Sequence, residues 1–204
     1  MVEQSLWMRK VAADPGHSDW YIERFRAMAR AGADLDGEAR FVDAMAPRGA
    51  RILDAGCGPG RLGGYLAAAG HRVVGVDVDP ALIRAAEQDH PGPRWLVGDL
   101  AELDLPARGD ADLAEPFDVI VSAGNVMTFL APSTRVRVLG RLRAHLAGDG
   151  RAAIGFGAGR DYPFAAFLDD AAAAGLTPEL LLATWDLRPF TDDSDFLVAV
   201  LRPA

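Results

Sequence analysis

Residues 51–79, RILDAGCGPGRLGGYLAAAGHRVVGVDVD, constrain this chain more than any other stretch. Arg51 to Ala55 is a short apolar run of the kind that forms a parallel strand buried on both faces. Gly56, Gly58 and Gly60 follow, and residues without a Cβ let the backbone turn sharply and approach a ligand closely. A helix is predicted through Leu62, Tyr65 and Leu66, stopping at Gly70. Val73 to Val76 is a second apolar strand, ending at Asp77 and Val78. Asp79-Pro80 then reads as N-cap and first-turn proline of another helix. Each strand thus ends on a carboxylate beside a turn.

The segment Asp54-Ala55-Gly56-Cys57-Gly58-Pro59-Gly60 resembles the first motif of the class I S-adenosylmethionine-dependent methyltransferases. A nicotinamide or flavin site competes with this reading, because Gly58-Pro59-Gly60-Arg61-Leu62-Gly63 satisfies G-x-G-x-x-G and Asp77 lies near the ribose-binding distance. Asp54 decides between them. A carboxylate there would face a pyrophosphate at close range, an unfavourable like-charge contact, whereas a methionine ammonium would be attracted to it.

The rest of the chain alternates strands and helices. Strands are expected at 94–98, 117–123 and 151–156, with a closing pair at 179–187 and 195–201. The helices between them are expected at about 80–89, from Pro132 to Leu146, and at 163–174. The short polar connection at 189–194 suggests an antiparallel hairpin. The fold class is therefore α/β, a doubly wound, mostly parallel seven-stranded sheet with a C-terminal antiparallel hairpin. Residues 1–48 read as a helical cap on a single domain spanning 1–204, with helices from Ser18 to about Gly32 and about Asp36 to Met45. Residues 1–17 show no clear period, and Trp20 reads as a core residue.

Composition narrows the partners. A formal charge of −8 and a single lysine, Lys10, argue against a nucleic-acid surface. No run approaches the roughly 18 apolar residues of a membrane span, and no leader pattern is present, so a cytoplasmic location is expected. One cysteine excludes an internal disulfide, and no cluster has metal-ligand spacing. Oligomeric state is not legible.

In an open α/β sheet, ligands bind outside the carboxyl ends of the strands. His71, His90 and His145 all fall at the opposite edge and read as surface residues; only His17 is placed to reach the functional edge. The resemblance implies S-adenosylmethionine as cofactor and S-adenosylhomocysteine as product. It assigns Asp54 to the ammonium, Asp77 and Val78 to the ribose, and Asp99 and Leu100 to the adenine. Gly56, Cys57, Gly58 and Gly60 would form the turn beneath, with Cys57 a small buried thiol rather than a nucleophile. Ala123, Gly124 and Asn125 would lie beside the methyl group, Asn125 orienting an acceptor or bonding the methionine end. Tyr21 and Arg26 resemble lid contacts to the methionine carboxylate. Met127, within 126–129, joins the candidate acceptor walls, as do the first predicted helix (Trp20, Tyr21, Arg24 and Arg26), 157–162 and 185–190. No catalytic base is assigned, and a small-molecule acceptor is the economical choice. A non-catalytic S-adenosylmethionine-binding module is the alternative.

Overall fold

The computed structural model describes residues 2–204. In chain order it contains α1 (Leu6–Ala13), α2 (His17–Arg30), α3 (Gly37–Met45), β1 (Arg51–Ala55), α4 (Arg61–Ala68), β2 (Arg72–Asp77), α5 (Pro80–Asp89) and β3 (Arg94–Val97). There follow α6 (Ala111–Ala114), β4 (Phe117–Ser122), α7 (Val126–Phe129), α8 (Arg135–His145), β5 (Leu146–Gly157), α9 (Phe164–Ala173), β6 (Leu176–Leu182) and β7 (Phe196–Pro203). The strands form a seven-stranded sheet in the order β3-β2-β1-β4-β5-β7-β6. The first five are parallel, and β7 runs antiparallel between β5 and β6.

Alternation along the central strands supplies two cores. Ile52, Val73, Val119 and Val121 face α3 and α4, packing with Ala39, Val42, Leu62 and Leu66. Leu53, Val74 and Ile120 point the other way, onto Val138, Leu139 and Leu142 of α8 and Phe167 of α9. All five β1 residues are buried, which is why that strand reads as an unbroken apolar run apart from its ends. Arg51, one of those ends, is satisfied by Asp112 and the Glu115 carbonyl and lies over the Phe117 ring.

The strand order reverses between β1 and β4, so a crevice opens at their carboxyl ends. Two glycines shape it. Gly60 has φ +84°, and a Cβ there would fall 2.7 Å from Ala86 and 2.9 Å from the Trp95 ring, so it seats α4 against α5 and β3. Gly58 has φ +55°, and a Cβ on it would meet only Tyr21, 3.8 Å away across open space.

The N-terminal region departs from expectation. It holds three helices rather than two, because 6–13, which shows no period in the sequence, is helical and capped by Ser5, whose hydroxyl accepts from Met8 N–H at 3.2 Å. The single residue it buries is Trp7. Trp20 is 56% exposed, not core: it lies on the outer face of α2, stacked on His17 and facing Arg24. The closing strands are shifted to 176–182 and 196–203, and β5 begins at Leu146, which is expected as the last residue of the preceding helix, five residues before the expected strand start at Arg151. His71 and His145 are buried rather than on the surface. His71 pairs with Asp43 at 3.0 Å, and His145 Nε2 accepts from Leu105 N–H while its Nδ1 donates to the Arg141 carbonyl. Among the described residues no helix is long and apolar enough to cross a membrane, and no group of three or more potential ligands is placed to hold a metal ion.

Candidate active site

The crevice at the ends of β1, β2 and β4 is a cleft of about 970 Å³ including its mouth. Three carboxylates reach it. Asp54, at the end of β1, is 2% exposed; its Oδ2 accepts from Gly63 N–H at 3.1 Å, and its other oxygen has no hydrogen-bond partner among the described residues. Burial pushes its carboxyl up to about 7, against the pull of Arg61 and the Gly63 N–H. Asp77, ending β2, accepts from Gly58 N–H through Oδ2 and from Asp79 N–H through Oδ1, both at 2.9 Å. Burial raises it to about 6 despite those bonds. Asp99 follows β3 and caps the short turn 100–102, accepting from Ala101 N–H at 2.8 Å.

An aromatic roof closes the cleft. Trp7 from α1, Tyr21 and Phe25 from α2, and Phe129 from α7 line it. They meet edge to face, with Trp7–Tyr21 centroids 5.2 Å apart, Tyr21–Phe25 5.0 Å and Trp7–Phe129 5.5 Å. Arg61 packs over Phe25 at 5.5 Å and is held by a bidentate pair with Glu38, both bonds 2.9 Å, and by the Leu35 carbonyl. Burial keeps the Tyr21 phenol protonated by raising its pKa. Ala123 and Gly124, at the end of β4, complete the floor, with the Tyr21 hydroxyl about 4.0 Å from where a Gly124 Cβ would stand.

Of the residues expected from the sequence, Asp54, Gly56, Cys57, Gly58, Asp77, Val78, Asp99, Leu100, Ala123, Gly124 and Tyr21 converge on this cleft. Four do not. Gly60 lies below it, under Trp95 and Ala86. The Asn125 side chain is engaged by Gly157 N–H at 2.8 Å, its backbone held at φ +67°, so it ties β4 to β5 rather than facing an acceptor. Met127 is fully buried in the core on the α8 side. Arg26 turns outward to a bidentate pair with Asp89 (2.8 and 3.0 Å) and a bond to Glu23, which corrects its placement as a lid contact.

Of the walls, the helix expected from Ser18 contributes through Tyr21, and 126–129 through Val126 and Phe129. Tyr162 is buried against Phe156 and Phe167, and Trp185 packs on Phe41 over Gly155. His17 touches Trp7 and Trp20, not the cleft. Sequence reading missed Ser5, Trp7, Phe25, Arg61 and Leu82 as lining residues. The one available signal was Ser5 standing three residues before Met8, an N-cap opening a short helix.

A doubly wound sheet with an antiparallel last pair, and carboxylates at the ends of β1 and β2 beneath a glycine turn, defines a methyltransferase-type nucleotide-cofactor fold. Residues 52–150 match the family model described as a methyltransferase domain. A TehB-like S-adenosylmethionine-dependent methyltransferase from Corynebacterium glutamicum is 52% identical, with a TM-score of 0.87, over 94% of this chain and 100% of that one. The chain belongs to the S-adenosylmethionine-dependent methyltransferases, enzymes that use S-adenosylmethionine and leave S-adenosylhomocysteine. Curated relatives are more distant. A malonyl-[acyl-carrier protein] O-methyltransferase of Pectobacterium atrosepticum is 29% identical over 105 residues, 52% of this chain and 40% of that protein. A magnesium-protoporphyrin O-methyltransferase of Rhodobacter capsulatus is 32% identical over 69% of this chain and 60% of that one. The match to these two therefore spans less than two thirds of the length of each.

The residues present fit that cofactor. The space above Gly58 is open where a side chain would fill it, and Asp54 presents an unbonded carboxylate oxygen to the cleft.

Proposed function

We propose that the protein transfers a methyl group from S-adenosylmethionine to a small-molecule acceptor. The observation that carries the reading is the convergence of Asp54, Asp77 and Asp99 on one roofed cleft at the strand-order reversal. When bound, the cofactor would supply an electrophilic methyl carbon, which an acceptor lone pair would attack in line as the carbon–sulfur bond breaks and the sulfur departs with its electron pair as the thioether of S-adenosylhomocysteine. Asp54 takes the methionine ammonium, and its ionisation in the complex is favoured by that charge. Asp77 accepts from the ribose hydroxyls with the lone pairs that Gly58 and Asp79 leave free. Asp99 and Leu100 hold the adenine edge. Trp7, Tyr21, Phe25 and Phe129 exclude water, and a low-dielectric cleft strengthens each charged contact within it.

The acceptor enters beside Gly124 and Phe129, where the side-chain atom nearest a Gly124 Cβ is the Tyr21 hydroxyl, held protonated by burial and so a poor general base. The protein's part in the chemistry is therefore positioning and desolvation of an acceptor that is nucleophilic as it binds. A small acceptor is supported by the enclosed apolar roof and by the relatives named for small-molecule methylation, such as the protoporphyrin enzyme. A cytoplasmic location goes with this reading.

Calorimetric titration with S-adenosylhomocysteine, with NADH as control, tests the cofactor. Micromolar binding of the first alone is expected; binding of NADH alone would mean that Asp54 does not exclude a pyrophosphate. Methylation of a small-molecule panel, lost in Asp54→Ala, separates an enzyme from a module that only binds cofactor.

A further inference from the structure

Asp79 makes more bonds than a helix cap needs. Its Oδ1 caps α5 through Ala81 N–H at 2.8 Å, the usual task of an N-cap aspartate. Its Oδ2 is buried and receives two side-chain donors, Trp7 Nε1–H at 2.9 Å and Ser18 Oγ–H at 2.5 Å. These donors come from two different helices, 72 and 61 residues away in sequence. At 2% exposure the carboxylate is costly to bury unless such donors fill it.

The helices it gathers, α1 and α2, carry Trp7, Tyr21 and Phe25 of the roof. They rest on a small apolar cluster of Trp7, Ile22, Leu82 and Ala85, separate from the two large cores. Asp79 N–H also bonds Asp77 Oδ1, so the same run of bonds reaches the carboxylate assigned to the ribose. We propose that Asp79 is a positioning residue that fastens the aromatic roof over the cleft through Trp7 and Ser18. The fastening rests on contacts within the protein, and its service to the cofactor rests on the reading of the cleft given above.

The test compares Ser18→Ala, Trp7→Phe (which keeps a ring but loses the donor) and the double variant with the wild type. Asp79→Asn is included, but the first three remain informative if it fails to fold. In the ligand-free double variant, amide hydrogen exchange over residues 6–22 should accelerate at least tenfold while α5 is unchanged, because Asp79 still caps it. S-adenosylhomocysteine affinity should fall at least tenfold. Ser18→Thr, which keeps the hydroxyl, should retain the affinity that Ser18→Ala loses, a distinction that general loss of stability would not make. Unchanged exchange over 6–22 would overturn the proposal. So would faster exchange with unaltered affinity, since the roof would then not depend on the fastening to serve the site. If the wild type binds no S-adenosylhomocysteine, the cofactor reading fails, and the exchange comparison alone upholds or overturns the fastening.

Discussion

Asp54 is the residue on which the site's electrostatics turn. Its carboxyl lies near 7 in the folded, ligand-free chain because burial disfavours the ionised form, whereas in the unfolded chain it is an ordinary carboxyl. The folded state therefore holds a proton that the unfolded state has released between about pH 4 and about pH 7. The stability tied to that proton is complete below about pH 4 and is lost as pH rises through 7. The melting temperature of the ligand-free wild type should accordingly fall more steeply with pH across this window than that of Asp54→Asn, and pH-dependent scanning calorimetry reads the difference. Binding of a cationic ammonium reverses the preference. S-adenosylhomocysteine binding near pH 6 should release protons, visible as a dependence of binding heat on buffer ionisation enthalpy; no release would show that Asp54 is not the ammonium's partner. Asp77 differs in having both oxygens already bonded to backbone N–H groups. Asp77→Ala frees those donors as well as the ribose contact, each charge-assisted bond being worth roughly 1.5–3 kcal/mol. A loss of cofactor affinity of at least tenfold is expected, and an unaltered isotherm would refute the assignment.

Among the elements, β2 shows how closely the floor of the cleft is packed. Gly75 pairs with Asp54 across β1, and a Cβ on it would stand 2.2 Å from the Trp95 ring and 3.1 Å from the Cys57 sulfur. Gly75→Ala should cost roughly 1–3 kcal/mol in a urea denaturation series, the range for overpacking a well-filled core. Trp95 cannot swing aside freely, since its indole N–H donates to the His90 carbonyl at 2.8 Å. This floor was legible in the sequence because parallel strands buried on both faces spell themselves as apolar runs, and because a turn that needs glycine leaves few alternatives. The roof was not. Helix α1 is short and fully buries only Trp7, with Met8 and Val11 half-buried beside it, and what holds that face is its contact with α2, α5 and α7, the Trp7–Asp79 bond included, none of which its own eight residues display. Arg26 and Trp20 misled for a related reason: both sit on α2, and which of its faces turns inward is set by where Ser18 and Ile22 dock, not by the period itself. Asn125 went astray because its left-handed backbone and its bond to Gly157 are properties of the β4–β5 junction, invisible in either strand alone.

For the whole molecule, cofactor binding and folding are linked. A ligand that binds only the native state at one hundred times its dissociation constant adds about 2.7 kcal/mol to stability. S-adenosylhomocysteine should raise the melting temperature with the concentration dependence this implies, and NADH should leave it unmoved. The order of the sheet adds a constraint on assembly. β5 and β6 are both made before β7, yet each pairs with β7 and not with the other. During synthesis, one flank of β5 and the inner flank of β6 therefore stay bare until residues 196–203 arrive, and bare flanks are where nascent chains stick to one another. The Pro178 and Glu179 carried by β6 are residues that discourage such pairing, so the strand left at the edge of the finished sheet carries its own guard against recruiting the wrong neighbour.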